Sequence, residues 1–379
     1  MHILIDATCI SDETFGTSQY ALCLLRELAG IDNGNRYSIL IKEKLAKSNQ
    51  VFDLSGQDNF KLIGTPLRLG GPQQQFKLCL PRNRVNPDVF HCLTYNLPLL
   101  FNTYKSVCTV HDLKFIVHPE YMHSKATLKK LYFYWITRFA SHKCSRIISI
   151  SESTKQDLVK YVGVSANKIH VIPEASTLHI DTVASEDEQQ AVCTKFSISK
   201  KYFLIIGCRR PHKNIKNAIK AFLYLMEKTG SDDLQLVITG SAQPYADSKH
   251  LAADMDAMQK TQIITTGFVS EDELDSLYRK AHALLYPSLY EGFGLPILEA
   301  MERGVPVITS NRTSMPEVGG DAAILVDPTD YRDIAKGLEK IMDKQVRGVC
   351  VKNGYARSAE FSWKKTAEQT LQVYRQVAG

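Results

Sequence analysis

The sequence predicts an α/β protein made of two doubly wound domains, each a parallel sheet with helices on both faces. Short apolar runs, such as residues 3–5, 202–206 and 283–286, alternate with helical segments along the chain, a pattern typical of βαβ units. At 379 residues the chain is long enough for two domains of ordinary size. We assign residues 1–180 to a first Rossmann-like domain, 195–360 to a second and 361–379 to a final helix.

The composition excludes several classes of protein. With 44% hydrophobic and 23% charged residues, the chain is typical of a soluble globular protein. No segment approaches the roughly 18 apolar residues that span a bilayer, and residues 1–6 lack the features of a secretory signal. The nine scattered cysteines form no C-x-x-C pair, which favours buried free thiols in a reducing cytoplasm. The net charge of +6 suits anionic substrates or a membrane surface, and no nucleic-acid motif accompanies it.

One stretch, residues 283–301, combines a strand, a glycine loop and a helix N-terminus. The apolar residues 283–286 predict a buried strand of a parallel sheet. Gly292 and Gly294 allow backbone angles and close approaches that side chains exclude, and Pro296 suits a first helical turn. A helix N-terminus at the carboxyl end of a parallel strand binds phosphate through its free amides and its dipole.

Two carboxylates flank this anion site, Glu291 before the turn and Glu299 one turn into the helix. A carboxylate beside a phosphate is unfavourable unless it binds other groups, and hydroxyls are its obvious partners. A ligand with both a phosphate and several hydroxyls is a sugar nucleotide. The alternative is a capped helix that carries two surface glutamates.

The spacing of Glu291 and Glu299, with Gly-Phe-Gly-Leu-Pro between them, resembles the signature of the retaining glycosyltransferases of family 4. That family has the GT-B fold, in which two Rossmann-like domains face each other across a cleft and a terminal helix crosses back to the first domain. The resemblance implies that Glu291 contacts the transferred sugar and Glu299 the ribose hydroxyls. It also implies that the intervening backbone holds the sugar and the diphosphate, through Gly292, Phe293, Gly294 and Leu295.

A cluster of cations follows the strand at residues 202–206. Lys and Arg at a strand end stabilise the charge of a departing diphosphate. In the family a lysine six residues after a glycine binds the diphosphate, and Lys213 has this spacing from Gly207. The family's arginine positions hold other residues here, so either Arg209 or Arg210 is expected to take that role. Because these cations and the helix dipole neutralise the diphosphate, we expect neither a metal nor a cofactor.

Two segments of the first domain contribute candidate site residues. His111 ends the predicted strand at residues 106–110, and His111-Asp112-Leu with Pro-Glu downstream resembles a family segment whose histidine faces the donor sugar. Gly16 lies in a polar loop, residues 6–19, ahead of a helix. The family has a comparable loop near the donor phosphate, usually with a second glycine where this chain has Ser18. Gly16 either contacts the ligand or only makes a turn.

Three further segments complete the interpretation. Phe268 matches a family segment that lines the nucleotide base, and a plain core role is the alternative. Residues 125–146 are basic and aromatic, with a helical stripe formed by Leu128, Leu131, Trp135 and Phe139. We favour a core helix that buries this stripe, and contact with anionic lipid is the alternative. The acidic residues 181–190 lack periodicity and are the best candidate for a linker.

The sequence therefore predicts an enzyme that transfers a hexose, with retention, from a GDP- or UDP-linked sugar to a hydroxyl of a glycan or lipid-linked acceptor. The segments around His111 and Pro211-His-Lys-Asn214 look most like those of mannosyltransferases of bacterial surface polysaccharides, so mannose is favoured. Two alternatives stay open, a GT-B epimerase of sugar nucleotides and a non-catalytic protein that binds them. We expect the protein to be cytoplasmic, with peripheral contact at the inner face of the membrane.

Overall fold

A computed structural model describes residues 1–12, 16–66, 86–95, 97, 105–121, 127–178, 183–207, 210–240 and 261–379, with only the backbone given for 127–130. The chain divides into two compact units. Unit 1 comprises Met1–Thr177 with Ser362–Gly379, and unit 2 comprises Leu178–Phe361.

Unit 1 contains a seven-stranded sheet in which every neighbouring pair is parallel, in the order β3-β2-β1-β4-β5-β6-β7. Its strands are β1 (His2–Asp6), β2 (Arg36–Lys42), β3 (Phe60–Thr65), β4 (Val89–Cys92), β5 (Lys105–Val110), β6 (Arg146–Ser149) and β7 (Ile169–Val171). Its described α-helices are α1 (Gly16–Ile31), α2 (Lys114–Val117), α3 (Thr127–Lys143), α4 (Glu152–Asp157) and, from the end of the chain, α12 (Trp363–Ala378).

Unit 2 contains a six-stranded parallel sheet in the order β10-β9-β8-β11-β12-β13. Its strands are β8 (Lys201–Ile206), β9 (Leu234–Thr239), β10 (Ile263–Gly267), β11 (Ala283–Tyr286), β12 (Val307–Ser310) and β13 (Ala323–Val326). Its described α-helices are α5 (Glu186–Lys195), α6 (Ile215–Thr229), α7 (Glu271–Lys280), α8 (Leu295–Glu302), α9 (Met315–Gly319), α10 (Tyr331–Lys340) and α11 (Lys344–Ser358).

These two sheets confirm the predicted fold class. The central strands are buried on both faces because helices cover both sides, which explains why they appear in the sequence as continuous apolar runs. Local signals set several helix ends: α7 begins with a capping box of Ser270 and Glu273, and α4 is capped by Ser151, whose hydroxyl accepts from the Thr154 amide. The seven described cysteines are all buried, and none of them forms a disulfide bond.

The sequence analysis missed one strand, and three of its local predictions were wrong. Strand β3 was not predicted, because it is an edge strand whose burial is broken by exposed positions. Helix α1 begins at Gly16, inside the segment predicted as a loop. Residues 186–190, assigned to a linker, form the start of α5, since Ser185 and Glu188 make a capping box there. The third wrong prediction concerns α3.

Helix α3 does not bury the predicted stripe. Leu131 and Trp135 are 50% and 57% exposed. The helix instead packs against the core through its opposite face, which consists of Ile136, Thr137, Ala140 and Ser141. Helical spacing identified a stripe of apolar residues, but Leu131 and Trp135 of that stripe lie on the solvent side.

The last helix, α12, is part of unit 1 and fixes the segment that follows β7. The Trp363 indole donates to the Ser176 carbonyl at 2.8 Å, and the Thr366 hydroxyl donates to the Pro173 carbonyl at 2.8 Å. Both side chains are at least 95% buried. Two hydrogen bonds from one helix therefore hold the backbone on either side of Glu174.

We expect Thr366→Val to lower the free energy of unfolding of the protein by about 1–3 kcal/mol, because the partly buried Pro173 carbonyl loses its donor while the side-chain volume is kept. Urea denaturation followed by far-UV circular dichroism measures this loss. Thr194→Val is the matched control, since the exposed Thr194 hydroxyl donates only within its own helix, to Gln190. Equal losses in the two variants would contradict the anchoring role.

Candidate active site

The conformation of the loop between β11 and α8 requires a glycine at one position. Gly294 has φ +118°, and a Cβ there would lie 3.2 Å from the Ile297 side chain, so this residue must be glycine. Helix α8 starts at Leu295 with Pro296 in its first turn, as predicted. Gly292 does not have a positive φ, so only Gly294 needs the predicted special backbone angles, and the close approach expected at Gly292 stays a prediction.

Lys213 and Glu291 form an ion pair, with Nζ and Oε1 2.8 Å apart and both side chains less than 20% exposed. The Lys213 ammonium also donates to the Tyr286 hydroxyl at 2.6 Å. Tyr286 ends β11 and is buried, and the pKa of its hydroxyl is held well above its usual range by burial first and then by the charge of Glu291. Tyr286 therefore stays protonated and links the two charged groups.

Lys213 reaches this position through a sharp turn after β8. Gly207 has φ +80°, and a Cβ placed there would meet the Lys213 stem at 3.6 Å. Asn214 takes a left-handed conformation, φ +59°, before α6 begins. Its amide donates to the carbonyls of Pro287 and Pro328, at 3.0 and 2.6 Å. The buried Asn214 thus fixes Lys213 against the end of β11.

Residues after β12 hold the glycine loop from the other side. The buried Ser314 hydroxyl is within hydrogen-bond distance of two loop carbonyls, those of Glu291 at 3.1 Å and Phe293 at 2.6 Å. The Glu291 amide donates to the Thr313 hydroxyl at 3.2 Å. The Phe293 side chain is buried and packs edge-on against Phe361, with 5.8 Å between ring centroids. The loop is therefore fixed by tertiary contacts as well as by its own sequence.

Glu299 is 8% exposed and is held by Tyr278, whose hydroxyl donates to Glu299 Oε2 at 2.8 Å. Burial, followed by the charge of Glu299, keeps the pKa of Tyr278 well above its usual range, so Tyr278 acts as the donor. The charge of Glu299 also contributes to the raised pKa of Tyr286. The two carboxylates predicted from the sequence are thus brought together around Tyr286.

In unit 1, His111 directly follows β5 and is surrounded by two acceptors. Its Nδ1 lies 3.1 Å from Glu174 Oε1, and its Nε2 lies 3.0 Å from the Leu93 carbonyl oxygen. The edge of the buried Tyr20 ring meets the His111 ring with 4.7 Å between centroids. Asp112, in contrast, accepts from the amide and the ammonium of Lys114, so it shapes the start of a short turn.

The remaining predicted residues are less constrained. Gly16 is exposed, and a Cβ on it would have no neighbour within 4 Å. Ser18 is buried, and its hydroxyl bonds to the Ser11 backbone. Arg210 is exposed, whereas Arg209 lies outside the described residues. Phe268 is 72% exposed, which rules out the alternative of a core role.

Sequence reasoning missed the residues that support these side chains, namely Tyr278, Tyr286, Asn214, Ser314 and Glu174. Each is polar and buried, yet nothing in its local sequence sets it apart from other core or turn residues. In the described ranges, no group of three or more His, Cys, Asp or Glu side chains is arranged to hold a metal ion. Independence from metal stays a prediction.

Comparison with known proteins identifies the family. The model described as Glycosyltransferase Family 4 matches residues 16–175, and the model described as Glycosyl transferases group 1 matches residues 188–357. The two Rossmann-like sheets and these two matches define a glycosyltransferase with the GT-B fold. The chain belongs to glycosyltransferase family 4.

Curated relatives share this assignment. O-antigen chain mannosyltransferase B of Escherichia coli is 30% identical over 289 residues, which cover 76% of this chain and 74% of that protein. O-antigen chain mannosyltransferase RfbU of Salmonella typhimurium is 31% identical over 66% of this chain and 65% of its own. The serotype-specific mannosyltransferase WbdA of E. coli is 29% identical over 99% of this chain, which spans about half, 48%, of that longer relative.

Solved structures show the same fold. Anabaena HepE, solved in complex with UDP-glucose, has a TM-score of 0.73 at 16% identity, covering 99% of this chain and 100% of its own. WaaG, a glycosyltransferase involved in lipopolysaccharide biosynthesis, has a TM-score of 0.70 at 14% identity, with 99% of both chains covered.

We expect Tyr278→Phe to destabilise unit 2 by about 1.5–3 kcal/mol, because the buried Glu299 carboxylate loses a hydrogen bond to a charged group. Urea denaturation measures this. Tyr202→Phe is the control, because the buried Tyr202 hydroxyl donates to a neutral group, the Leu277 carbonyl, at 2.7 Å. We expect a loss of about 0.5–1.5 kcal/mol for Tyr202→Phe; a larger loss there than for Tyr278→Phe would contradict the assignment.

Proposed function

We propose that this enzyme transfers a hexose, mannose in the first place, from a nucleoside diphosphate sugar to a hydroxyl of a glycan or lipid-linked acceptor in polysaccharide biosynthesis. The observation that carries the proposal is the Lys213–Glu291 ion pair at the carboxyl end of β11, with the buried Glu299 on the helix that follows. The choice of mannose is supported by the names of the curated relatives, which are O-antigen mannosyltransferases.

Each side chain has a role that its environment suits. The Lys213 ammonium has more donors than its contacts with Tyr286 and Glu291 use, so it can also bind a diphosphate oxygen. Glu291, fixed by that ion pair and by its backbone contacts with Thr313 and Ser314, would accept hydroxyl groups of the transferred sugar. Glu299, fixed by Tyr278, would accept the ribose hydroxyls.

The leaving group determines the rest of the mechanism. When the bond between the anomeric carbon and the diphosphate breaks, negative charge develops on the phosphate oxygen, and Lys213 with the N-terminus of α8 would stabilise it. These groups can replace a metal ion, so we propose transfer without metal. We further propose that the acceptor hydroxyl attacks the anomeric carbon on the face that the diphosphate leaves, so the anomeric configuration is retained. The proton of that hydroxyl passes to the departing phosphate.

The decisive experiment is calorimetric titration of GDP and of UDP in the presence of EDTA. We expect one of the two to bind, and Lys213→Ala and Glu299→Gln each to weaken that binding by about tenfold or more, since a hydrogen bond to a charged group contributes about 1.5–3 kcal/mol. Lys228→Ala is the matched control, because Lys228 pairs with Glu339 on an exposed surface. Failure of both nucleotides to bind, or equal affinity in Lys213→Ala and Lys228→Ala, would contradict the site.

Transfer itself is tested with GDP- and UDP-linked hexoses and a glycan acceptor, with the anomeric configuration of the product determined by NMR. Retention is expected, with rates unchanged by EDTA. A product of inverted configuration would overturn the proposed stereochemistry.

We also propose that α3 contacts an anionic membrane surface where a lipid-linked acceptor resides. Leu131 and Trp135 lie one helical turn apart and are exposed. Arg138 and Lys143 lie on the same helix, and Lys143 Nζ is 5.6 Å from the centre of the Phe139 ring. An exposed apolar pair on a helix that also carries cations suits insertion between anionic headgroups. No helix in the described part of the chain is long and apolar enough to cross a membrane.

We expect the double variant Leu131→Ser, Trp135→Ser to lose most of its sedimentation with vesicles that contain anionic lipid, because the inserting apolar surface is removed. The control is Val349→Ser with Tyr355→Ser on α11, whose exposed fractions, 58% and 51%, match those of Leu131 and Trp135. An equal loss in both double variants, or no binding by the unchanged protein, would contradict this surface.

A further inference from the structure

Both ring nitrogens of His111 face hydrogen-bond acceptors. The Leu93 carbonyl can only accept, so Nε2, at 3.0 Å from it, must carry a proton. Nδ1 lies 3.1 Å from Glu174 Oε1, and an ionised carboxylate can also only accept. A neutral imidazole has one N–H and cannot donate in both directions. This arrangement therefore selects the doubly protonated imidazolium.

The surroundings of His111 favour the same form. Burial by itself lowers its pKa, but the hydrogen bond and charge of Glu174, then the Leu93 carbonyl and Asp112, outweigh burial and raise the pKa above its ordinary value. The imidazole of His91 does not oppose the charge, because burial lowers its pKa to about 3. Tyr20, whose ring packs perpendicular to that of His111, has its pKa raised by burial and stays neutral.

The fold holds Glu174 rigidly in this position. Glu174 is 4% exposed and lies in the short segment after β7. The carbonyls of Pro173 and Ser176, on either side of it, accept hydrogen bonds from Thr366 and Trp363 of α12. The Tyr20 ring that contacts His111 also packs against Trp363, with 5.6 Å between ring centroids. One helix thus supports both members of the ion pair.

We propose that Glu174 is a positioning residue that holds His111 as an imidazolium, and that this charged form is the one required for sugar transfer. The proposal rests on the proposed function and on the role in transfer that the family resemblance implies for His111. With both N–H groups committed, the ring has no lone pair with which to take a proton, so His111 acts through its fixed positive charge and not as a general base.

The pH dependence of stability and of sugar transfer follows from the raised pKa of His111. His111 gains a partner on folding, so the ion pair contributes stability in full below the ordinary histidine pKa, and that contribution is lost as the pH rises through the raised pKa. Transfer should decline over the same alkaline range. Removing the Glu174 charge should move this decline to lower pH.

The test is an NMR titration of the full-length protein labelled with 15N-histidine, in which His111→Gln assigns the His111 signals. At neutral pH we expect both His111 nitrogens to be protonated. In Glu174→Gln, whose amide oxygen can still accept from Nδ1, the His111 pKa should fall by about one unit or more, and the alkaline limb of kcat should shift by the same amount. Glu174→Asp should restore part of both shifts, as the charge is kept.

The matched control is Glu120→Gln, which alters the exposed pair formed with His118 and should leave the pKa of His111 unchanged. A neutral His111 ring at neutral pH, an unshifted pKa in Glu174→Gln, or a shifted pKa with an unmoved kcat profile would each overturn the proposal. The titration needs no turnover. It therefore remains informative if the proposed donor is wrong, and an inactive protein with an imidazolium at His111 would identify the proposed function as the part that failed.

Discussion

Parallel pairing of every strand is the constraint on which the candidate site depends. Because the strands of each sheet run in one direction, their carboxyl ends meet at one edge. In unit 2 this edge brings the turn after β8, which carries Lys213, beside the end of β11, which carries Tyr286. In unit 1 it brings His111, after β5, within reach of Leu93, after β4, and Glu174, after β7. Residues that are distant in sequence become neighbours because the strands that precede them lie in one parallel sheet.

Three buried or largely buried carboxylates at these edges each have an identified donor: Glu299 has Tyr278, Glu291 has Lys213, and Glu174 has His111. A buried carboxylate without a donor is costly, and one held by a fixed donor cannot easily reorient. The donors therefore do more than compensate for burial. They fix the direction in which each carboxylate presents its charge, so that little reorganisation is needed when a ligand binds.

The sequence predicted the strands well, because strands covered on both faces must be apolar throughout. The spacing of Lys213, Glu291 and Glu299 around glycines resembles the family's, and the roles in ligand binding that this implies stay predictions. It could not predict the partners. Glu174 is 63 residues from His111, and no local pattern connects them. The error at α3 has a different cause: helical spacing shows that Leu131 and Trp135 share a face, but only packing decides whether that face is inside. Strand β3 was missed since an edge strand is only partly buried.

The two ion pairs, Lys213–Glu291 and His111–Glu174, differ in the chemistry of the cation. In the Lys213–Glu291 pair the cation is a lysine ammonium, a compact point charge on a flexible stem that suits contact with a diphosphate. A histidine is charged near neutrality only when its environment makes it so. Glu174 supplies that environment, and α12 holds Glu174. A change in α12 that loosened Pro173 or Ser176 would therefore alter the charge of His111 without touching either residue of the pair.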